Sequence, residues 1–485
     1  MNADQADQAD TADLPLVDLD ATAQAEMVST GAAVPMDLLT AAITRCEALN
    51  PALNALASLD ADAARRRVEA LAPGGVFHGV PTLLKDLLAW PGLPIGLGSR
   101  LMAGQVAPQG SAYTKALEAA GLVVLGKTTT SEFGLLGTTE PLATGPTRNP
   151  WDLSRSTGGS SGGAAAAVAA GMVPVAHGSD GGGSIRGPAA LCGVFGFKPG
   201  RGRTRPAGIP PEAPLAGILS DHCLSRTVRD SATWLRATEA QGLPDPLPEA
   251  SALAGDPPAG LRIGWFARDC FGELPEPEVL AGLERTVALC QSLGHRLVPV
   301  EGPRLVRALV GQAMFDLMAV TTAGMIEMLA PGREDAAGLL EPYTRWLADH
   351  GRGLAPPRIG EAMQVIAASG AVVTDCLDGV DLLLSPTIPF TAFALGAFAP
   401  GTANEVLRAH FERSAGYTAP ASLAGCPAMS VPLHVGPSGL PVGSHFVARA
   451  GDDALLLRLA FQLERAAPWL PQLQALSRRL AWRKS

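Results

Sequence analysis

The sequence predicts an α/β fold in which helices cover both faces of a central sheet. Short apolar segments with the pattern of strands alternate with longer amphipathic or alanine-rich segments with the pattern of helices. Of the 485 residues, 47% are hydrophobic but only 5% are aromatic, and glycine (55) and proline (41) are abundant. This composition favours helices packed closely on a sheet and joined by many tight turns.

Helical patterns are predicted at four places. In the first, Leu39, Ile43 and Cys46 recur at helical spacing, Pro35 suits the first turn, and Pro51 follows the end. An alanine-rich segment that follows a glycine turn predicts another helix. The predicted helices are 35–50, 111–120, 162–170 and 277–293. The predicted strands are 80–84, 122–125, 172–176, 261–266, 296–300, 381–385, 428–433 and 443–448.

The remaining segments define the expected domain organisation. Residues 1–13 are acidic and alanine-rich and predict a disordered N-terminal tail. Residues 14–475 form the predicted globular domain, within which 240–259 reads as a surface connection rich in proline and acidic groups. Several helices with proline and glycine joints predict a smaller, lid-like region at 300–420. Residues 476–485 are expected to form a C-terminal tail.

Charge and cysteine usage exclude several classes of protein. The net charge is −9 and is spread along the chain, which argues against nucleic-acid binding and against an anionic membrane surface. The seven cysteines are odd in number, widely spaced and form no CxxC pair, as expected of reduced thiols in the cytoplasm. There is no zinc-ligand spacing and no HExxH motif. We therefore expect no metal and no cofactor.

The N-terminus lacks the basic start and apolar core of a signal peptide. The longest apolar run, at 164–176, is much shorter than the roughly 20 residues that cross a bilayer. These features predict a soluble, cytoplasmic protein.

Two serines in glycine-rich turns and one lysine offer a complete mechanism. Ser160 lies in the turn 158–163, Ser184 lies in the turn 180–186, and Lys85 follows an apolar strand-like run. Serine is a weak nucleophile until a base takes its proton, and a lysine can act as that base only if burial or nearby positive charge lowers its pKa. Consecutive glycines let several backbone N–H groups point at one oxyanion.

Each of these segments has an alternative interpretation. The turn 158–163 also suits a linker or the G-x-S-x-G elbow of α/β-hydrolases, but residues 149–157 predict no strand before Ser160. Residues 121–128 match the P-loop pattern, yet an apolar strand lies between its glycines, so a chance match is favoured. The turn at 180–186 alone could be an ordinary turn, and Lys85 alone could be solvated.

Taken together, the motifs resemble those of the amidase signature family. The resemblance extends over residues 14–475, and the block 158–199 is its most specific part. Its further motifs are Lys85-Asp86, Gly126-Lys127-Thr128, Glu132-Phe133-Gly134, Asn149-Pro150-Trp151, Ser385-Pro386-Thr387 and the stretches 225–230, 425–432 and 439–443. The resemblance implies one large domain with a mixed, largely parallel central sheet and helices on both faces.

The resemblance also implies roles for individual residues. Ser184 would be the acylated nucleophile and Lys85 would be the base. Ser160, which would be preceded by a cis peptide bond, would relay the proton between them. The implied oxyanion donors are the backbone N–H groups of Gly181, Gly182, Gly183 and Ser184. The implied hydrogen-bond partners that orient the turns are Ser161, Asp180 and Arg186.

Within the family, the segment 180–184 looks closest to nylon cyclic-dimer hydrolases and general bacterial amidases. We therefore expect hydrolysis of small apolar amides, anilides or carbamates by a monomer or homodimer without a macromolecular partner. The alternative is the glutaminase subunit of a tRNA-dependent amidotransferase, although that subunit usually has threonine where Gly181 stands. Cys426 stands where related amidases often have glutamine or leucine.

Overall fold

A computed structural model describes residues 16–333 and 335–482 of the chain. Its centre is one 11-stranded sheet with strand order β1-β3-β2-β4-β6-β5-β10-β11-β9-β7-β8. The strands are β1 (Leu56–Leu59), β2 (Pro81–Lys85), β3 (Val123–Thr128), β4 (Val175–Asp180), β5 (Phe195–Lys198), β6 (Ser220–Ser225), β7 (Arg262–Trp265), β8 (Arg296–Pro299), β9 (Leu382–Pro386), β10 (Ala428–Val435) and β11 (Pro441–Ala448). The predicted α/β class with a central sheet is confirmed.

The sheet is mixed, and antiparallel pairs outnumber parallel ones. Strands β2, β3 and β4 pair in parallel, as do β7, β8 and β9, whereas the other six pairs are antiparallel. The expectation of a largely parallel sheet is therefore corrected. The reason is the middle of the sheet, where the hairpin β10–β11 and the reversals at β5 and β6 replace helical crossovers.

Helices complete both faces of this sheet. They are α1 (Ala21–Ser29), α2 (Pro35–Leu53), α3 (Ala61–Glu69), α4 (Ala112–Ala119), α5 (Gly162–Ala169), α6 (Arg186–Cys192), α7 (Val228–Thr238), α8 (Ala250–Gly255), α9 (Pro277–Ser292), α10 (Arg307–Leu329), α11 (Ala336–Leu339), α12 (Pro342–Arg352), α13 (Pro356–Cys376), α14 (Asn404–Ala415), α15 (Ala419–Ala424), α16 (Asp453–Ala466) and α17 (Leu470–Trp482).

Each predicted helix and strand has an observed counterpart, but the helices α1, α3, α6, α7, α8, α16 and α17 were not predicted. The strand expected at 172–176 begins at Val175 and runs to Asp180, because Gly171 adopts a positive φ of 72° and the chain turns before it enters the sheet. Strands β1, β5 and β6 were not predicted, since they are short and lack a long apolar run.

Three of the predicted segments, the two tails and the lid-like region, are compared with the observed elements. The predicted tail 1–13 lies outside the described residues. The predicted boundary at residue 475 falls inside α17, which continues to Trp482. The region 300–420 is mostly helical, but it also supplies β9 to the main sheet.

The helix that follows the first glycine turn is buried on all sides. All eight residues of α5 are buried, and the helix contacts β2, β4 and β6 as well as α6. Alanine side chains allow this close approach to the sheet. Because α5 is fixed in this way, the turn that precedes it is held against the ends of β2 and β4.

Helix α10 is the one segment in the described part of the chain with the length and hydropathy of a membrane span. Of its most apolar window, 56% is buried inside the protein, which is the behaviour of a core helix.

Candidate active site

Three chain segments meet at one edge of the sheet. Lys85 is the last residue of β2, Asp180 is the last residue of β4, and these neighbouring strands run parallel. The carboxyl ends of parallel neighbours lie at the same edge, so both strands deliver their following residues to one place. Ser160 precedes α5, and Ser184 lies in the turn between β4 and α6.

Lys85 is fully buried and surrounded by hydroxyl and carbonyl oxygens. Its Nζ lies 2.7 Å from Oγ of Ser160, 3.0 Å from Oγ of Ser179 and 3.3 Å from the carbonyl oxygen of Ser179. Burial lowers its pKa to about 7, although the carboxylates of Asp221 and Asp180 act in the opposite direction. An amine with this pKa is about half neutral at pH 7, so a large fraction of it can accept a proton.

Ser179 was not among the predicted site residues, although it contacts the lysine directly. A signal for it was present in the sequence. Ser179 immediately precedes Asp180 at the carboxyl end of a strand, which is where functional side chains gather in sheets of this type.

The turn that carries Ser160 contains the cis peptide bond Gly159–Ser160, as predicted. The turn is packed tightly, because a Cβ on Gly159 would lie 2.6 Å from backbone atoms of Leu136 and Thr138. Thr139 Oγ1 also donates a hydrogen bond to the carbonyl oxygen of Gly158 over 2.8 Å. These contacts fix the Ser160 hydroxyl beside the lysine.

The second glycine turn is organised by the carboxylate of Asp180. This group accepts hydrogen bonds from the backbone N–H groups of Gly183 (2.8 Å), Ile185 (3.1 Å) and Arg186 (3.3 Å). The Gly183 N–H is thereby already hydrogen-bonded within the protein, whereas the resemblance implied that it would donate to the oxyanion. The proposed oxyanion donors are accordingly the N–H groups of Gly181, Gly182 and Ser184.

A buried ion pair locks this turn to the rest of the domain. Arg186 binds both carboxylate oxygens of Asp180 over 2.8 and 2.9 Å. Burial alone would raise the pKa of Asp180, but the charge and hydrogen bonds of Arg186, the charge of Lys198 and the Ile185 N–H together outweigh burial, and the pKa lies well below its usual range. The guanidinium also contacts the Thr418 carbonyl (2.8 Å), Ser422 Oγ (3.0 Å) and His445 Nε2 (2.9 Å).

Thr418 supports the turn from the opposite side, and it too was not predicted. Its Oγ1 donates to the carbonyl oxygen of Gly182 over 2.6 Å. Gly183 adopts a φ of +130°, and a Cβ at that position would lie 2.3 Å from Thr418 Oγ1. Only glycine meets both the conformation and the close approach. No local motif around Thr418 indicates this contact.

Ser161 bridges the two turns. Its N–H donates to the carbonyl oxygen of Ser184 over 3.2 Å, and its Oγ donates to the carbonyl oxygen of Ser179 over 3.3 Å. The structure therefore brings Lys85 and Ser160 into direct contact, and it joins the turn of Ser160 to the turn of Ser184 through the Ser161 N–H.

Ser184 faces a cleft of about 400 Å³, including its open mouth. The glycine turns form one wall and apolar side chains form the other, and none of the described lining residues is charged. The lining includes Gly159, Gly182, Ser184, Ile388, Phe390 and Phe411. Such a cleft suits a neutral, fairly apolar ligand.

Two alternative motifs are settled by the fold. Residues 123–128 form strand β3, so the P-loop interpretation of 121–128 is wrong. No strand directly precedes Ser160 in the described chain, which excludes the nucleophile elbow. Within residues 16–333 and 335–482, no group of three histidine, cysteine or acidic side chains could hold a metal ion.

Known proteins resemble this chain over nearly its full length. The Amidase family model matches residues 37–457. The 6-aminohexanoate-cyclic-dimer hydrolase of Paenarthrobacter ureafaciens is 35% identical over 489 residues, covering 95% of this chain and 98% of the relative. A solved structure of 6-aminohexanoate cyclic dimer hydrolase with substrate superimposes with a TM-score of 0.86 and 32% identity, covering 95% and 99% of the two chains.

Two further relatives have other names. The acylamidase of Rhodococcus erythropolis is 35% identical over 470 residues, covering 93% of this chain and 96% of the relative. A glutamyl-tRNA(Gln) amidotransferase subunit from a Synechococcus strain is 34% identical over 482 residues, covering 92% and 96%. Given the match of the family model and the geometry of the two serine turns, this chain belongs to the amidase signature family.

Proposed function

We propose that the protein hydrolyses amide bonds through an acyl-enzyme on Ser184. The observation that carries this proposal is the contact between Lys85 and Ser160. A fully buried amine with a pKa of about 7 lies 2.7 Å from a hydroxyl that is fixed beside the glycine turn of Ser184. This contact supports Lys85 as the base and Ser160 as the relay, and we propose Ser184, in the neighbouring turn, as the nucleophile that completes the sequence.

The reaction proceeds in two halves. Neutral Lys85 takes the Ser160 proton while Ser160 takes the proton of Ser184, whose Oγ forms a bond to the carbonyl carbon. The N–H groups of Gly181, Gly182 and Ser184 stabilise the oxyanion. The C–N bond then breaks as Ser160 gives a proton to the leaving nitrogen and regains one from the Lys85 ammonium, which leaves Lys85 neutral again. Water attacks the acyl-enzyme by the same relay and releases the acid.

The proposed substrates are small, neutral, apolar amides, anilides or carbamates. The cleft has apolar walls and no charged lining residue among those described, so a charged substrate would lose its hydration without gaining an ion pair. The names of the relatives, cyclic-dimer hydrolase and acylamidase, support an amide of this size. We propose that the protein acts in the cytoplasm without a metal, a cofactor or a partner subunit.

The alternative function is that of a glutaminase subunit in a tRNA-dependent amidotransferase, the activity in the name of one relative. Free glutamine carries an ammonium and a carboxylate next to each other. The described residues that line the cleft provide no charged side chain for either group. This observation favours the first proposal.

The two functions are separated by assays on the isolated protein. The amidase proposal is supported if the protein releases 4-nitroaniline from 4-nitroacetanilide or an alcohol from a neutral carbamate. The alternative is supported if glutamine is the only substrate hydrolysed, or if activity requires a partner subunit. Ser184→Ala is the matched control. Intact-mass measurement during turnover should detect an acyl adduct on the wild type and none on S184A. Full activity in S184A would falsify the assignment of the nucleophile.

A further inference from the structure

A second cavity, which we call the apolar cavity, lies next to the catalytic cleft. It has an empty volume of about 530 Å³ including its opening, and it shares Phe411 and Ala415 with the cleft. Helices α10, α14 and α15 form its walls. The side chains on α10 and α15 that line it are Val310, Met314, Phe315, Met318, Ala419 and Leu423. The mechanism above makes no use of this space.

The ring of Phe411 stands between the apolar cavity and the glycine turn of Ser184. Its Cζ is 3.7 Å from the position that a Cβ on Gly182 would occupy, and Cβ of Ala415 is 3.8 Å from the same point. Phe411 and Ala415 are four residues apart on α14 and therefore share one face of the helix. One helical face thus forms the wall between the reacting centre and the second cavity.

The apolar cavity is suited to a neutral hydrocarbon group. Two of its described lining residues, Arg408 and Glu412, form an ion pair over 3.0 Å. Arg408 also donates to Gln312 Oε1 over 3.1 Å and lies over the ring of Phe315 at 4.2 Å. Because these charges already have partners, a charged ligand group would gain nothing in this space.

We propose that Phe411 is a specificity-determining residue. Its ring closes the catalytic cleft against the apolar cavity and thereby limits the length of the substrate's apolar group. Removal of the ring joins the two spaces and admits longer neutral chains. This inference rests on the proposed amidase function, because it concerns which amides the site accepts.

The first test measures kcat/KM over two series of neutral amides. One series lengthens the acyl chain of N-acyl-4-nitroanilides from acetyl to decanoyl, and the other lengthens the amine side of N-alkylacetamides. Each buried methylene contributes about fourfold to binding. Phe411→Ala should therefore raise the long-to-short ratio of kcat/KM at least tenfold in one series. An unchanged ratio in both series overturns the inference.

Two control variants identify the space that the chain occupies. Phe398→Ala truncates another phenylalanine, one that stacks on His410 and is not among the residues lining either space, and it should leave the ratio at its wild-type value. In the double variant F411A/M314W, the indole fills the apolar cavity and the gain should disappear. A gain that persists in this double variant means that the chain lies elsewhere, which also overturns the inference.

A binding measurement keeps this test independent of turnover. Calorimetry compares decanamide with acetamide on S184A and on S184A/F411A, and the second protein should bind decanamide at least tenfold more tightly than the first. Equal binding overturns the inference even if the enzyme hydrolyses amides, whereas tighter binding without any hydrolysis counts against the proposed function alone. Phe411→Leu, a smaller truncation, replaces the alanine variant if circular dichroism shows that F411A is unfolded.

Discussion

The pH dependence of turnover tests whether Lys85 is the base. Its pKa falls from 10.5 to about 7 because the amine is buried. At pH 7, about half of the Lys85 amine is then neutral, compared with about 1 part in 3,000 at the ordinary value. The lowered pKa means that the folded protein disfavours the ammonium relative to the neutral amine by about 5 kcal/mol. This difference is large enough to decide whether Lys85 can act as a base at physiological pH.

The sign of the dependence follows from the protonation state. Below pH 7 the amine is an ammonium and cannot accept the Ser160 proton, so activity is lost as the pH falls. The logarithm of kcat/KM on 4-nitroacetanilide should rise with a slope of one up to about pH 7 and level off above pH 8. A flat profile between pH 5.5 and 8.5, or a midpoint near pH 10, would refute the reasoning.

Two variants test whether the acid limb belongs to Lys85. Lys85→Met keeps the length of the side chain without an amine, and it should be inactive across the whole pH range. Asp221→Asn removes a carboxylate that raises the pKa of Lys85, so the limb should move to lower pH. Burial also lowers the pKa of Lys198, to about 8, but Asp221 is not among the charges acting on it. A limb that does not move in D221N would belong to another group.

Three other changes test the neighbouring parts of the site. Ser160→Ala removes the relay, and kcat/KM should fall by about 10²–10⁴. The loss should be larger for an anilide than for the matched 4-nitrophenyl ester, because the leaving group of the ester needs no proton. An equal loss on both substrates contradicts the relay. Arg186→Met leaves the buried carboxylate of Asp180 without its ion-pair partner. The free energy of unfolding, measured by thermal or urea denaturation, should therefore drop by about 3–5 kcal/mol. An unchanged denaturation midpoint counts against a stabilising role of this ion pair. Gly183→Ala places a Cβ 2.3 Å from Thr418 Oγ1, so activity should be lost. The control Gly202→Ala also changes a glycine with a positive φ, but open space surrounds that position, so this variant should remain active. Full activity in G183A would show that the turn tolerates a side chain.

Local patterns predicted eight of the eleven strands in the described chain, but they located only four of its helices individually. The alternation of apolar strands and amphipathic helices is a property of the chain itself, and it located α9 to within one residue at its end. Helix α2 was predicted to end at residue 50, before Pro51, but it continues through Pro51 to Leu53. Strand direction was harder to predict, because β10 pairs with β5, which lies far away from it in sequence. The balance of parallel and antiparallel pairs therefore emerged only from the assembled sheet.

The sequence by itself determined the chemical groups of the site. Ser160 and Ser184 stand in glycine turns that need glycine for their backbone geometry, and this requirement is visible in the residue order. The tertiary structure alone decided the state of these groups. The pKa of Lys85 depends on burial by elements from the whole chain, and Thr418 reaches the turn from more than 230 residues away in sequence. The wall of the cleft opposite the glycine turns is formed partly by α14, whose packing against those turns no local pattern encodes.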